Sequence, residues 1–171
     1  MKKIIQNFTN IKDNLKVKDV MSKKVIFLSK DKYVNEAIKV MAENSISTIV
    51  IEENNKLLGI LTERDLVKKI LYKEKDPKKI KIQDIMSKEP IYVYPDAPIL
   101  VAANTMKEHK VRKLVVLNEK KEVIGIISQT DIINSLNKIY EEYSTIFMNP
   151  ILYFILVIFI IIMVILSLII F

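Results

Sequence analysis

The sequence predicts an α/β fold of the α+β kind, in which two β-α-β-β-α units pack as one pseudo-symmetric body and one apolar helix follows them. Three observations lead to this prediction. Most of the chain is an internal repeat, each copy alternates strand-like apolar runs with segments of helical spacing, and residues 151–171 carry no charge. A chain of 171 residues, half of them apolar, is long enough to bury such a core.

The repeat is the strongest of the three signals. The stretch from Val17, VKDVMSKKVIFLSKDKYVNEAIKVM, aligns with the stretch from Ile82, IQDIMSKEPIYVYPDAPILVAANTM, at an offset of 65 positions. By Gly59 and Gly125 the offset has become 66. One residue has therefore been inserted, and we expect it in the hairpin turn, where EENNK corresponds to LNEKKE and a change in length is tolerated.

Each copy predicts the same order of elements. In the first copy, VIFL indicates a strand and VNEAIKVMAENS a helix; STIVIEENNKLLGIL then indicates a hairpin and ERDLVKKILYK a second helix. The second copy repeats this order from PIYVY to QTDIINSLNKIY. The predicted organisation is a leader at 1–16, the copies at 17–72 and 82–139, a charged, proline-bearing linker at 73–81, a connector at 140–149 and an anchor at 150–171.

The C-terminal segment from Ile151 to Phe171 predicts a transmembrane helix. As a helix it would be about 31 Å long, close to the roughly 30 Å thickness of the hydrocarbon core. A buried helix would normally carry a polar stripe, and only Tyr153 and Ser167 depart from pure hydrocarbon here. Because all lysines and arginines precede this segment, we expect a single-pass, tail-anchored protein of the cell membrane whose N-terminal units lie in the cytoplasm.

The composition argues against several kinds of function. The chain has no cysteine and a single histidine, His109, which excludes disulfides, thiolate metal sites and Cys/His nucleophile pairs. Two glycines in all cannot form a dinucleotide-binding loop. The net charge of +7 is spread along the chain without aromatic interleaving, which favours a solvated surface over nucleic-acid binding. We therefore expect no enzyme, no metal and no catalytic cofactor, and we interpret His109 as a helix-end residue.

Both copies end with the same spacing of glycine, hydroxyl and aspartate, in GILTERDL at 59–66 and GIISQTDI at 125–132. A hydroxyl and a carboxylate one turn apart at a helix N-terminus suit a ribose, because the carboxylate accepts from two vicinal hydroxyls and the hydroxyl can meet a phosphate oxygen. The same spacing fits a helix cap with an acid at its third position, which needs no ligand. Each glycine either gives flexibility at the end of a strand or lets another backbone approach closely.

These features together resemble a pair of cystathionine β-synthase (CBS) domains, the Bateman module, over residues 17–139. The resemblance rests on the doubled unit, on the VMS and IMS openings and on the two glycine-to-aspartate endings. It implies two composite clefts, each with ribose-binding residues from one copy and base-contacting residues from the first strand of the other. The implied residues are Thr62, Asp65, Ile91 and Tyr92 in one cleft, and Ser128, Thr130, Asp131, Ile26 and Phe27 in the other.

The resemblance also implies where phosphates would bind. Basic residues are expected at the start of the second strand, where the second copy has Arg112 and Lys113. The first copy has Ser47 and Thr48 there, so we expect the two clefts to be unequal.

The implied function is a regulatory module at the membrane that senses AMP, ADP, ATP or S-adenosylmethionine. Since no enzyme or channel is attached, it would signal to an unidentified effector protein in trans, and it would act as a homodimer. The alternative is a structural adaptor with empty clefts, whose anchor localises a protein–protein interaction surface.

Overall fold

The computed structural model describes residues 15–54, 56–147 and 150–170. In the last two helices, side chains are described at 129–141, 144 and 153–167. The chain divides into a first unit that ends at Ile132 and a second unit that begins at Ile133. Residues 1–14 of the predicted leader lie outside the described residues.

The first unit contains two three-stranded sheets of the same design. In each sheet a short first strand pairs in parallel with the second strand, and the second strand pairs antiparallel with the third. The elements around the first sheet are α1 (Val17–Val20), β1 (Phe27–Leu28), α2 (Val34–Asn44), β2 (Thr48–Glu53), β3 (Lys56–Thr62), α3 (Glu63–Leu66) and a π-helical segment (Val67–Leu71). Those of the second half are a 3₁₀ turn (Ile82–Asp84), β4 (Tyr92–Val93), α4 (Ile99–Glu108), β5 (Lys113–Leu117), β6 (Val123–Ser128) and α5 (Gln129–Phe147).

The predicted β-α-β-β-α order is confirmed in both copies. The inserted residue is confirmed in the second hairpin. Glu52 pairs with Leu57, which leaves residues 53–56 between them, and Leu117 pairs with Val123, which leaves residues 118–122. The short helix α1 and the 3₁₀ turn were not predicted, because each is a single turn without apolar periodicity.

The segments that open each copy are exchanged between the two halves. Val17 is fully buried in the core under the second sheet, and Ile82 is fully buried in the core under the first sheet. Backbone hydrogen bonds hold each segment in place: Val17 donates to the carbonyl of Ala97 at 2.9 Å, and Ile82 donates to that of Lys32 at 2.9 Å. Each core is therefore completed by residues from the other copy, and the two halves form one folding unit.

The two glycines lie where the exchanged segments cross the sheets. Ile60 and Ser87 exchange two backbone hydrogen bonds of 2.9 and 3.0 Å, and Ile126 and Ser22 do the same. A Cβ atom on Gly59 would lie 2.4 Å from the carbonyl oxygen of Ser87. Of the two interpretations of the glycines, close approach of another backbone is therefore the one that the structure supports.

The second unit comprises the rest of α5 and helix α6 (Pro150–Ile170). Large apolar side chains of α6 are exposed along its described length, from Tyr153 to Leu166. Within the described part of the chain, no helix meets the combination of length and apolarity needed to cross a membrane. The transmembrane helix expected from the sequence is thus not shown.

Candidate functional site

Two clefts lie in the first unit, and each takes residues from both copies. Cleft A has a volume of about 330 Å³. It is lined by Ser47, Thr48, Ile60, Thr62, Glu63, Arg64, Asp65, Ser87, Glu89, Pro90, Ile91, Val111, Arg112 and Lys113. Cleft A therefore brings together Thr62, Asp65 and Ile91, as the resemblance implied, and adds both predicted basic residues.

Cleft B is smaller, at about 240 Å³. It is lined by Ser22, Lys24, Ile26, Asn44, Ile46, Thr48, Lys113, Ile126, Ser128 and Asp131. Ser128, Asp131 and Ile26 are therefore together, as the resemblance implied. Lys113 and Thr48 line both clefts.

Three of the implied ligand residues do not line a cleft. Tyr92 and Phe27 begin β4 and β1, directly after Ile91 and Ile26, and successive side chains of an extended chain point to opposite faces. Tyr92 is 46% exposed and stacks edge-on against Tyr94, with ring centroids 5.8 Å apart, and Phe27 is 40% exposed. Thr130 lies exposed in the first turn of α5.

In cleft A, the carboxylate of Asp65 closes a helix cap. Its Oδ2 atom accepts from the backbone N–H of Thr62 at 3.0 Å and from the Thr62 hydroxyl at 2.6 Å. The backbone N–H of Asp65 donates to that hydroxyl oxygen at 3.2 Å. Its other oxygen, Oδ1, pairs with the ammonium of Lys69 at 2.8 Å, and Lys69 also donates to the carbonyl of Ile85 at 2.6 Å. Both carboxylate oxygens of Asp65 are thus already in use.

In cleft B, Asp131 closes the same kind of cap. Its Oδ2 atom accepts from the backbone N–H of Ser128 at 2.7 Å and from the Ser128 hydroxyl at 2.6 Å. The difference is at Oδ1, which accepts a hydrogen bond from no residue that the structure describes. The position equivalent to Lys69 is Ser135, which carries no charge. The Oδ1 atom of Asp131 can therefore accept from a ribose hydroxyl, whereas the Oδ1 atom of Asp65 is already paired with Lys69.

The clefts also differ in the charges that line them. Cleft A has three cationic side chains and three carboxylates, namely Arg64, Arg112, Lys113, Glu63, Asp65 and Glu89. Cleft B has two lysines, Lys24 and Lys113, and the carboxylate of Asp131. Cleft A is close to neutral overall, whereas cleft B is cationic.

Several of these residues were missed by sequence reasoning. Lys24 and Glu89 occupy equivalent positions of the repeat and face equivalent clefts, so applying the repeat to residues just before the first strand would have found them. Arg64 donates to the carbonyl of Lys110 at 3.4 Å, and no motif in the sequence pointed to it. His109 caps the C-terminus of α4, which confirms its interpretation as a helix-end residue.

Comparison with known proteins now places the repeat in a family. The model of the CBS domain matches residues 17–72 and 82–138, more than half of the chain. The chain belongs to the CBS-domain family. A similar protein is a homoserine O-acetyltransferase from Methanococcoides burtonii, 35% identical over 130 residues, which are 75% of this chain and 25% of that protein. Among the most similar curated relatives, this CBS-domain chain spans 22% to 62% of their length.

Two solved structures of CBS-domain proteins are also similar. The first is the CBS domain pair of protein MJ0100 in complex with 5′-methylthioadenosine and S-adenosyl-L-methionine. It has a TM-score of 0.66 and 27% identity, over 72% of this chain and 97% of that one. The second is a hexameric CBS-CP12 protein from bloom-forming cyanobacteria, with a TM-score of 0.65 and 28% identity, over 70% of this chain and 66% of that one.

Proposed function

We propose that the chain is a regulatory module that binds an adenosine-containing ligand in its composite clefts and signals its presence to a partner protein. AMP, ADP, ATP and S-adenosylmethionine are the candidate ligands. The observation that carries the proposal is the arrangement of cleft B. There a carboxylate oxygen with no partner among the described residues, an apolar residue just before β1 and two lysines line one cavity.

Each part of that arrangement matches a part of such a ligand. The Oδ1 atom of Asp131 can accept from the vicinal ribose hydroxyls, and the side chain of Ile26 offers an apolar surface to a base. Lys24 and Lys113 can neutralise phosphates or a carboxylate. The relative MJ0100, whose CBS pair was solved with two adenosine-containing molecules, supports the same class of ligand.

Thermal melting and calorimetric titration of the full-length chain in non-ionic detergent test this proposal. A ligand that binds the folded state raises its stability by about 2.7 kcal/mol at a concentration one hundred times its Kd. Adenosine, AMP, ADP, ATP and S-adenosylmethionine should be compared at equal concentration. If none of them shifts the melting temperature or gives heat of binding, the sensing function fails.

The alternative is an adaptor whose clefts hold no ligand. It is favoured by the caps, because Asp65 and Asp131 both have a structural task that needs no ligand. Asn in place of Asp131 distinguishes the two functions. In a sensor the substitution lowers nucleotide affinity, whereas in an adaptor its only possible effect is on stability, through the cap.

We further propose that helix α6 anchors the module at the cell membrane in a single pass, with the CBS domains in the cytoplasm. This part rests on the sequence of residues 151–171, which has no charge to oppose insertion, and on the lysine-rich CBS domains, since lysine and arginine favour the cytoplasmic side. A chain ending at Tyr140 should stay in the supernatant, while the full chain sediments with membranes. Release of the full chain by high salt or alkaline carbonate would contradict the anchor.

We propose that the effector is a separate protein. The enzyme name of the acetyltransferase does not transfer, because the match covers a quarter of that protein. We also propose that the chain self-associates as a homodimer, for which the hexameric relative gives general support. Light scattering of the detergent-solubilised chain measures its oligomeric state, and a monomer at all concentrations would refute this.

A further inference from the structure

The two clefts meet at one pair of residues. Thr48 begins β2 and Lys113 begins β5, and the offset of 65 makes them equivalent positions of the repeat. Both residues line cleft A and both line cleft B. A perfect repeat would place the same residue twice at this junction, but the chain has one hydroxyl and one ammonium.

Both side chains are free to bind a ligand. Thr48 is only 7% exposed and is the one polar residue among the described buried ones, yet its hydroxyl makes no hydrogen bond to a described residue. Lys113 forms no ion pair with a described carboxylate. Among the described residues no fully buried side-chain polar atom lacks a partner, so the Thr48 hydroxyl is accessible from the clefts and can serve a ligand. A lysine without a counter-ion beside it is an anion-binding group.

We propose that Lys113 is shared between the clefts, so that an anionic ligand bound in one cleft withdraws the ammonium group from the other. Binding of phosphate-bearing nucleotides is then anticooperative, while binding of uncharged adenosine in the two clefts is independent. This inference rests on the proposed function, because it requires that both clefts accept adenosine-containing ligands.

Anticooperativity is expected because the single ammonium group of Lys113 carries one charge. It can form a short charge-assisted hydrogen bond to a phosphate on either side, and a flexible lysine stem lets it turn to the first that binds. The second anion then meets the hydroxyl of Thr48 and the cation that belongs to its own cleft, Arg112 in cleft A or Lys24 in cleft B. Loss of one such bond weakens the second binding step by about tenfold.

The test measures the binding of ADP and of adenosine by calorimetry on the full-length chain in non-ionic detergent. Two single-cleft variants are needed: Ile91→Trp fills cleft A and Ile26→Trp fills cleft B. If either variant melts early, Ile91→Phe and Ile26→Phe replace them. Lys113→Gln is then introduced into the unmodified chain and into each single-cleft variant, with Lys113→Arg as the control that keeps the charge.

If Lys113 is shared, Lys113→Gln should lower the affinity for ADP about tenfold in both single-cleft variants. In the chain with two open clefts, Lys113→Gln should lower the affinity of the first ADP-binding step only and leave that of the second step unchanged. Adenosine binding should not change in any background, and Lys113→Arg should keep the anticooperativity. If wild type binds a single ADP, the single-cleft variants decide: sharing predicts that each of them binds one ADP and that Lys113→Gln weakens this binding in both, and an effect in one variant only refutes it.

Two results would overturn the inference while leaving the sensing function intact. In the first, Lys113→Gln lowers the affinity for ADP in one single-cleft variant only, so the lysine serves one cleft. In the second, it weakens both ADP steps of the two-cleft chain equally. Failure of adenosine and ADP to bind at all would instead refute the proposed function, and the coupling with it.

Discussion

Cleft A and cleft B occupy equivalent places in the repeat, and the residues that shape them correspond closely. Ser87 corresponds to Ser22 and Ile91 to Ile26, and the capping pair Thr62 and Asp65 corresponds to Ser128 and Asp131. The charged residues do not correspond. Glu89 of cleft A and Lys24 of cleft B occupy equivalent positions of the repeat but carry opposite charges. The framework of the two clefts has thus been kept, while the groups that would recognise a ligand have diverged.

The contrast extends to the ribose-binding carboxylates. The Oδ1 atom of Asp65 is held by Lys69, whereas that of Asp131 has no partner among the described residues. A carboxylate already paired with an ammonium has less to gain from a ribose hydroxyl. We therefore expect cleft B to be the stronger site for ribose and cleft A the weaker one.

The largest effects are expected from alanine at the two glycines, which tests the shared framework. A Cβ atom on Gly59 would meet backbone, the carbonyl oxygen of Ser87, at 2.4 Å. On Gly125 it would meet the flexible end of Met21 at 2.7 Å and the carbonyl oxygen of Ser22 at 2.9 Å. Overpacking of this kind costs about 1–3 kcal/mol, and we expect Gly59→Ala near the upper end and Gly125→Ala lower. Urea unfolding measures both, and equal losses would contradict this difference.

The second prediction concerns the two aspartates. Asp131→Asn keeps an oxygen for the cap but replaces the other acceptor by an NH₂ group, so we expect nucleotide affinity in cleft B to fall by about ten- to a hundredfold. Asp65→Asn should lower affinity in cleft A only a few-fold, because Lys69 already competes for that oxygen. Calorimetric titration with adenosine measures both. Equal losses would show that Lys69 leaves the ribose position undisturbed.

Much of the fold could be predicted from the sequence because it depends on local patterns. The order of strands and helices follows from apolar spacing, and the extra hairpin residue follows from the change of offset between Gly59 and Gly125. The exchange of Val17 and Ile82 between the cores could not be predicted. Both segments have the same sequence pattern, and a repeat does not reveal which copy each one packs against.

The candidate site was predictable where it rests on a motif and not where it depends on orientation. The capping pairs were placed by their spacing, and the structure shows that this spacing builds a cap in both copies. Ile91 and Ile26 were assigned to the clefts together with Tyr92 and Phe27, one residue later in each case, and of these four only Ile91 and Ile26 line a cleft. A shift of one residue along a strand reverses the face, and a two-residue strand has too little alternation to fix the face from sequence.

The third prediction removes the lysine that distinguishes the aspartates. Lys69→Met keeps an unbranched stem of similar length but loses the ammonium, so the Oδ1 atom of Asp65 becomes available to a ribose hydroxyl. We expect the affinity of cleft A for adenosine to rise about two- to fivefold, since Lys69 is partly exposed and such a pair is worth about 1 kcal/mol or less. Cleft B should be unchanged and provides the internal control. A fall in the affinity of cleft A would mean that Lys69 itself assists binding.

The smallest effect is expected where the exchanged segments are held by surface charge. Asp96 accepts from Lys18 at 2.8 Å and from Lys16 at 3.2 Å, whereas its counterpart Asp31 has Lys81 at 3.7 Å. The hydrogen bond from Lys18, followed by the one from Lys16, holds the pKa of Asp96 below its usual value. A carboxylate whose pKa is lowered by folding adds stability above its unfolded pKa, and this stability is lost as the pH falls through the folded pKa.

Asp96→Asn should therefore be slightly less stable than wild type at pH 7, and the difference should shrink below about pH 4, where the unfolded carboxyl begins to bind protons. These side chains are exposed, so added salt should also reduce the difference. Asp31→Asn is the matched control and should show a smaller difference at pH 7, because its single partner is farther away. Urea midpoints at pH 7 and pH 3, at low and high salt, give the four comparisons. A difference that persists unchanged at pH 3 would mean that Asp96 acts through packing or hydrogen bonding that is independent of its charge.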